Sequence, residues 1–319
     1  MKICLTGSSG FIGSAIVESL KSLEVKPLLL VREKSSVAAD SEVAEIDLED
    51  LSSFDPGILN GFDVLIHTAA RSYIMKDEVL DPLAEYRRIN CRATLELARI
   101  AANAGVKRFV FLSSIKVNGE FTEPGKPFVA NSNHIPDDPY GLSKCEAEKG
   151  LLEFAENSGM EVVIIRPPLV YGPGVKGNFA SMVSWVKKGI PLPFGAIHNR
   201  RSLVALNNLV DFIILCGRRN KSPKAANEVF LISDGKDVPT SELLRKIANS
   251  CKVKSRLMPV PVSWMQFIAK MLGIGRISDR LFGNLQVDSS KARDLLNWSP
   301  VINMDEQLNK ISVFDKRKG

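Results

Sequence analysis

Tyr140 and Lys144 lie in Tyr140-Gly141-Leu142-Ser143-Lys144, a spacing that puts both side chains on one face of the helix entered through Pro139. A phenol beside an ammonium is a proton-exchange pair. The cation stabilises phenolate and lowers the phenol pKa, which suits the interconversion of an alcohol and a ketone. Upstream, Phe111-Leu112-Ser113-Ser114 ends an apolar run, so the Ser114 hydroxyl is placed to hold the oxygen that Tyr140 protonates. A Tyr–Lys spacing alone is common; strand, serine, tyrosine and lysine in that order form a joint signal.

A second group of residues points to a dinucleotide. Gly7-Ser8-Ser9-Gly10-Phe11-Ile12-Gly13 follows directly on the apolar Ile3-Cys4-Leu5-Thr6 and opens an amphipathic helix. Glycines permit a tight turn and let a diphosphate approach the backbone, while the helix N-terminus offers free N–H groups and a positive dipole end. An NAD-binding unit carries an acid at the end of its second strand, where it holds the ribose hydroxyls. Here that strand ends Val31-Arg32-Glu33-Lys34-Ser35. Arg32 is either a solvated strand-end residue or, helped by Lys34 or Ser35, the partner of the 2′-phosphate of NADP. The second reading tips NAD or NADP towards NADP. Asp47-Leu48, after the third strand, reads equally as a contact to the adenine amino group or as the N-cap of a helix over Leu51–Leu59.

These groups need a scaffold, and the first half of the chain supplies its pattern. Short apolar runs at Ile3–Thr6, Pro27–Val31, Val64–His67, Phe109–Ser113 and Val162–Arg166 alternate with amphipathic stretches. One of these is Pro82–Ala104, with Leu83, Tyr86, Ile89, Leu95, Leu97 and Ile100 recurring on one face. Strands buried on both faces and alternating with helices predict an α/β, Rossmann-type doubly wound parallel sheet. After Arg166 prolines break the chain into shorter pieces. The reading is an NAD(P)-binding domain over 1–166 and a smaller α/β substrate lobe over 167–319, interleaved with it rather than folding alone. The cleft between them is the expected ligand site.

Composition excludes several other functions. With 319 residues, 45% hydrophobic and 24% charged, the chain has the make-up of a globular protein, not of a disordered, collagenous or coiled-coil one. The net charge of +6 is spread along the chain, apart from a short Lys316-Arg317-Lys318 tail, so no nucleic-acid partner is expected. The five cysteines are widely spaced, which argues against zinc and against disulfides; Cys145 reads as a buried thiol. No acid/histidine pair has metal-ligand spacing, and His67, His134 and His198 read as satisfied or solvated. No apolar stretch is long enough to span a membrane, and Met1 runs almost at once into the glycine motif, leaving no room for a signal peptide. No membrane partner is expected, and the location is read as cytoplasmic. The amphipathic Trp264–Leu272 run is expected to pack into the core.

Taken together, these motifs resemble the extended short-chain dehydrogenase/reductase family, in its NAD(P)-dependent nucleotide-sugar epimerase/dehydratase branch, over nearly the whole chain. His67-Thr68-Ala69-Ala70 is similar to the segment after the fourth strand, and Asn90-Cys91-Arg92-Ala93-Thr94 to an Asn-containing helix motif. Ser113 to Gly119 resembles the serine motif, with Asn118 where a tyrosine is more usual. Arg166-Pro167-Pro168-Leu169-Val170-Tyr171-Gly172-Pro173 resembles the segment entering the substrate lobe. The resemblance implies that Ser114, Tyr140 and Lys144 are catalytic. It implies that Gly7, Ser9, Gly10, Phe11, Ile12, Gly13, Arg32, Asp47, Leu48, Thr68, Ala69, Ala70, Asn90 and Pro167, with Tyr140 and Lys144, hold the cofactor. Asn178 and Arg201 would join Ser114 on the substrate, with the Arg201 guanidinium clamping a nucleotide diphosphate. Two departures stand out: Leu169 replaces an asparagine common in sugar epimerases, and Asn207-Asn208 replace acidic residues. Lys291 and Trp298 match a C-terminal signature and read as packing. The implied activity is epimerisation at C4 of a UDP-sugar, with an NADPH-dependent 4-ketoreductase as the alternative and an inactive cofactor-binding scaffold third. A dehydratase is disfavoured because Ile115-Lys116 stand where that chemistry uses an acid and a base. A homodimer through a helical face is also implied.

Overall fold

A computed structural model of the protein describes residues 1–33, 41–72, 79–132, 134–271 and 281–318. Seven parallel strands form the main sheet: β1 (Ile3–Thr6), β2 (Leu28–Val31), β3 (Glu42–Glu45), β4 (Val64–His67), β5 (Arg108–Leu112), β6 (Glu161–Arg166) and β9 (Glu228–Leu231), in the order β3-β2-β1-β4-β5-β6-β9. Every residue of β1, β2 and β4 is buried, as expected of strands covered on both faces. The pleat divides them between two cores. Ile3 and Leu5 face Ile16 and Leu20 of α1 (Phe11–Ser22) and Leu209, Phe212 and Ile213 of α6 (Leu206–Gly217). Cys4 and Leu65 face Leu97 and Ala101 of α3 (Ala93–Asn103) and Ala147 and Leu151 of α4 (Pro139–Ser158). Strand order reverses between β1 and β4, and ligands of such sheets bind at the carboxyl ends of the strands at that switch point.

A two-stranded parallel sheet of β7 (Leu169–Tyr171) and β8 (Leu203–Ala205), with α5 (Gly177–Lys187) and α7 (Thr240–Cys251), forms the second lobe around Tyr171, Phe179, Val183, Leu244 and Ile247. The chain does not stay there. After Ala205 it returns, α6 covering the first sheet and β9 pairing with β6; α7 goes back to the second lobe, and Ala292 and Trp298 rejoin the first core.

Three local expectations are corrected. The helix expected over Pro82–Ala104 is broken into α2 (Pro82–Tyr86), a π-helical turn Arg87–Arg92 and α3. The Thr94 hydroxyl donates to Asn90 O at 3.0 Å, and a side chain inserted into the helical ladder favours such a bulge. The helix expected over Leu51–Leu59 is two 3₁₀ turns, Leu51–Ser53 capped by Asp50 and Pro56–Leu59 capped by Asp55; Pro56 lacks the N–H that a continuous helix needs. Finally, α8 (Val262–Met271) does not bury its aromatic residues: Trp264 is 68% and Phe267 66% exposed.

Trp298 behaves as packing: its ring meets Phe212 edge-on at 5.0 Å and its Nε1 donates to Asp211 at 2.8 Å. Lys291 pairs with Glu228 at 2.6 Å. Among the described residues there is no cluster that could hold a metal ion, and no helix is long and apolar enough to cross a membrane. The five cysteines are free, and Cys145 is buried with its thiol pKa raised chiefly by burial. His134 and His198 are exposed.

Candidate active site

The glycine loop joins β1 to α1 at the switch point. Gly7 has φ 75°, a left-handed value that favours glycine, and Gly10 N donates to Gly7 O at 3.0 Å to close the turn. The two outer glycines are there for close approach. A Cβ on Gly7 would lie 2.6 Å from Ala69 N, and one on Gly13 would lie 2.0 Å from Gly7 O. Gly10 caps α1 without any side-chain hydrogen bond, so the first-turn N–H groups have no side chain competing for them. The Ser8 hydroxyl is buried without a hydrogen-bond partner, and Ser9 and Gly10 are exposed with Phe11 and Ile12 half-buried beside them. An orphaned hydroxyl and open helix N–H groups in a cradle that no Cβ fits are the donor set for a diphosphate, so these residues fit a dinucleotide. Overpacking costs about 1–3 kcal/mol, a tenfold change for each ~1.4 kcal/mol. Gly13→Ala is therefore expected to weaken dinucleotide binding about tenfold or more, as read by titration of NADH fluorescence; unchanged affinity would remove the loop from the site.

At the end of β2, Arg32 is largely exposed and pairs with Glu49 at 3.3 Å; Glu49 also takes Arg88 at 2.9 Å. Lys34 and Ser35, expected to assist Arg32, lie outside the described residues. Asp47 accepts from Glu49 N at 2.9 Å, closing a local turn, and so is not the helix cap that was one of its two readings. Leu48 packs on the core under this edge.

After β4, Thr68 donates to Thr6 O at 2.7 Å and Ala69 N to the Thr6 hydroxyl at 3.3 Å, locking this segment against the glycine loop, with Ala70 exposed beyond it. His67 is enclosed: Nδ1 is 2.7 Å from the Thr6 hydroxyl and Nε2 3.0 Å from the Thr94 hydroxyl. Burial, helped by the Lys144 charge, lowers its pKa to about 3, so it is a neutral structural histidine. Asn90 is fully buried and holds Arg71 by both backbone groups, at 2.8 and 3.1 Å, and the Ser143 hydroxyl at 3.3 Å. It ties the loop after β4 to α4.

Ser114 stands where β5 gives way to a 3₁₀ turn, Ile115–Val117, whose Lys116 N donates to its hydroxyl at 3.3 Å. Pro167 is buried, and its carbonyl accepts from Ile115 N at 3.0 Å, pinning this loop to the end of β6. Pro139 opens α4 at its first position with Asp138 as cap, donating nothing where no partner exists. That start places Tyr140 against Ser114, whose hydrogen bond lowers the phenol pKa. Burial outweighs it and raises the phenol to about 12, with Asp138 and Tyr86 adding to the rise. Lys144 is fully buried; its Nζ donates to Leu112 O at 3.0 Å and sits 4.3 Å from the Phe111 ring centre. Burial lowers its pKa to about 7, against the raising effect of Glu148. The expected depression of the phenol by the ammonium is therefore corrected: Nζ is directed to the end of β5, and desolvation decides the phenol.

Sequence reasoning passed over two supports. Tyr86 sets its ring edge-on to Tyr140 at 5.8 Å; it was legible only as one apolar position of a helix. Beneath Lys144, Glu148 accepts from Arg166 Nε at 3.0 Å to both oxygens and from the Ser113 hydroxyl. Arg166 donates on to Asn118 at 2.9 Å and Ala130 O at 3.2 Å. This buried network joins α4, the serine loop and the end of β6. Asn118, the departure noted above, is a working member of it. Lys116 pairs with Glu120 at 2.6 Å and Asp138 at 3.4 Å.

In the second lobe Arg201 Nη1 donates to Gly283 O at 3.3 Å and burial lowers its pKa, while Asn178 is exposed at the start of α5. Asn208, one of the acid replacements, is fully buried and donates to Asp234 at 2.7 Å and Ile302 O at 2.9 Å; Asn207 is half-buried and Leu169 exposed.

A doubly wound sheet with a glycine loop at its switch point and a Ser–Tyr–Lys group beside it defines a dinucleotide-dependent enzyme of alcohol and carbonyl chemistry. Residues 3–232 match the NAD dependent epimerase/dehydratase family. The chain is 47% identical over 309 residues to a UDP-glucose 4-epimerase of Vibrio cholerae, covering 95% of this chain and 92% of that one. It is 28% identical to N-acetyl-alpha-D-glucosaminyl-diphospho-ditrans,octacis-undecaprenol 4-epimerase of Escherichia coli O157:H7, over 82% of this chain and 77% of the other. The crystal structure of a Thermotoga maritima UDP-glucose 4-epimerase with UDP-glucose superposes with a TM-score of 0.76 at 22% identity, covering 100% of this chain and 99% of that one. The protein belongs to the NAD dependent epimerase/dehydratase family and is an NAD(P)-dependent enzyme of it.

Proposed function

We propose that the protein is a nucleotide-sugar epimerase that inverts C4 of a UDP-hexose or UDP-N-acetylhexosamine through a transient 4-keto sugar. The observation that carries this is the meeting of Ser114, Tyr140 and Lys144 beside the glycine loop, in a chain 47% identical to a UDP-glucose 4-epimerase. When bound, the nicotinamide takes up and returns the hydride. The chain's own residues manage the proton and the geometry. Ser114 holds the sugar oxygen, and Tyr140 Oη passes a proton to and from it. Lys144 anchors the nicotinamide ribose. Gly7, Ser9, Gly10, Phe11, Ile12 and Gly13 hold the diphosphate, with Thr68, Ala69, Ala70 and Pro167 lining the cofactor and Asp47 and Leu48 beside its adenosine end. Asn90 acts by fixing the Arg71 segment. Arg201 and Asn178 take the substrate diphosphate from the second lobe. The reading includes residence in the cytoplasm and pairing of two copies through a helical face.

One observation favours a second reading, a 4-ketoreductase of a UDP-deoxyamino sugar: Tyr140 is held protonated, the state needed to give a proton to a carbonyl. Its link to NADPH through Arg32 is weaker, because Glu49 competes with a 2′-phosphate for that guanidinium. The test is to denature freshly purified protein and identify the released nucleotide by mass spectrometry. Epimerisation returns the same hydride and lets the cofactor stay, so NAD at about one per chain is expected. An empty site that fills preferentially with NADPH would select the reductase instead.

A further inference from the structure

The second lobe carries a run of exposed apolar side chains that the proposed chemistry does not use. On α8, Trp264, Phe267 and Met271 are 68%, 66% and 74% exposed. Their spacing of three and four residues sets them in one stripe, while Val262 and Met265, on the other side of the helix, are half-buried. Further exposed apolar side chains lie on the segment before α8 and on the structure that segment pairs with. Leu192 N donates to Arg256 O at 3.0 Å and Met258 N to Leu192 O at 2.8 Å, so the segment just before α8 pairs with the loop after α5. There Met258, Trp185 and Ile190 are exposed as well.

The charge around this face has one sign. From Lys252 to Met271 there are four cations, Lys252, Lys254, Arg256 and Lys270, and no Asp or Glu. All four are exposed, as is Lys188 at the end of α5. Among the described residues none of the five is in an ion pair. Lys254 and Arg256 alternate with half-buried residues along the segment that follows α7, which points them outward together, while Lys252 sits in the left-handed turn that ends α7. A protein partner would answer such cations with scattered acids at fixed positions; a face of aromatics and methionine flanked by exposed cations is the pattern that lies in the headgroup layer of an anionic bilayer. Tryptophan in particular suits that layer, having an apolar body and one N–H donor.

We propose that α8 and the basic segment before it dock the enzyme onto an anionic membrane surface, with Trp264, Phe267 and Met271 entering the headgroup boundary. The attachment is peripheral, since no described helix can span a bilayer, and it revises both the expected core packing of this run and the expected absence of a membrane partner. It does not depend on which sugar the site turns over.

The experiment is co-sedimentation of the purified full-length protein with phosphatidylglycerol–phosphatidylcholine vesicles and with phosphatidylcholine vesicles alone, at low and high salt. The expected result is binding to the anionic vesicles only, weakened by salt because the surface charges are screened. Trp264→Ser/Phe267→Ser should reduce the bound fraction about tenfold or more by removing the interfacial aromatics. Lys254→Glu/Arg256→Glu should do the same with the apolar stripe intact, so the outcome does not hang on the folding of one variant. Neither pair lies in the catalytic machinery, so both variants keep wild-type turnover in the absence of vesicles. Absence of anionic-vesicle binding, equal binding to neutral vesicles, or binding untouched by both variants would overturn the proposal. So would self-association of the wild type that Trp264→Ser/Phe267→Ser abolishes, which would give the face to a second copy.

Discussion

Replacing Tyr140 by Phe should lower turnover about 10²–10⁴-fold, the usual contribution of a positioned acid–base group, while leaving dinucleotide affinity within about twofold. The substitution removes one oxygen. The ring keeps its edge-on contact with Tyr86 at 5.8 Å, and Lys144 keeps its anchor on Leu112 O at 3.0 Å, so neither the fold nor the cofactor cradle is disturbed. Only the proton path to the sugar oxygen is lost, because Ser114 can hold that oxygen but has no acidity near neutral pH to replace the phenol. Steady-state assay beside NADH titration separates the two effects. A variant of unaltered turnover would mean that Tyr140 is not the acid–base group, and a protein with no turnover to lose would be a scaffold that kept the fold.

Glu148→Gln should cost stability on the scale of a broken buried ion pair, about 3–5 kcal/mol. Glu148 and Arg166 are 3% and 6% exposed. Arg166 reaches Asn118 and Ala130 O as well, so neutralising Glu148 leaves a guanidinium with hydrogen bonds but no counter-charge. The pair also supports the active site from below. Glu148 raises the pKa of Lys144, which burial holds down to about 7, so its removal should move the Lys144 titration to lower pH. Denaturant unfolding reads the first effect and the ¹³Cε shift of Lys144 against pH the second. A loss of stability with an unmoved lysine titration would make Glu148 a purely structural residue. For stability the sign is fixed: Lys144 has a lower pKa folded than unfolded, as does His67 at about 3. Each therefore binds fewer protons when folded. The His67 penalty is absent above about pH 6.5 and grows as pH falls from there towards 3.

The sheet was legible because strands buried on both faces leave continuous apolar runs. β1 and β4 fall on the residues read for them, Ile3–Thr6 and Val64–His67. Ser114, Tyr140 and Lys144 could be singled out because a strand end and a helical spacing are both local. What was not legible depends on partners distant in sequence. The π turn at Arg87–Arg92 interrupts a helical pattern without altering it, since Asn90 is held by Arg71 and Ser143 and Thr94 by His67. The direction of Lys144 follows from a carbonyl on another element, so the phenol was expected to be depressed and is raised. Glu148 is marked out by Arg166 and Ser113, both brought to it by the fold and not by its place on the helix. Arg32 was open to two readings, a solvated strand end or a phosphate partner, and its pairing with Glu49 is a contact between elements that the sequence does not display. At Trp264 and Phe267 periodicity identified an apolar face, but a period cannot say what covers that face.

The central claim, inversion of a UDP-sugar at C4 by a cofactor that stays in place, is tested most directly by incubating the purified protein with UDP-glucose, and separately with UDP-N-acetylglucosamine, without added dinucleotide, and separating the C4 epimers by anion-exchange chromatography. The account predicts that at least one of the two is converted to an equilibrium mixture with its galacto epimer. No epimer from either, together with NADPH consumption when a UDP-4-keto sugar is supplied, would contradict it.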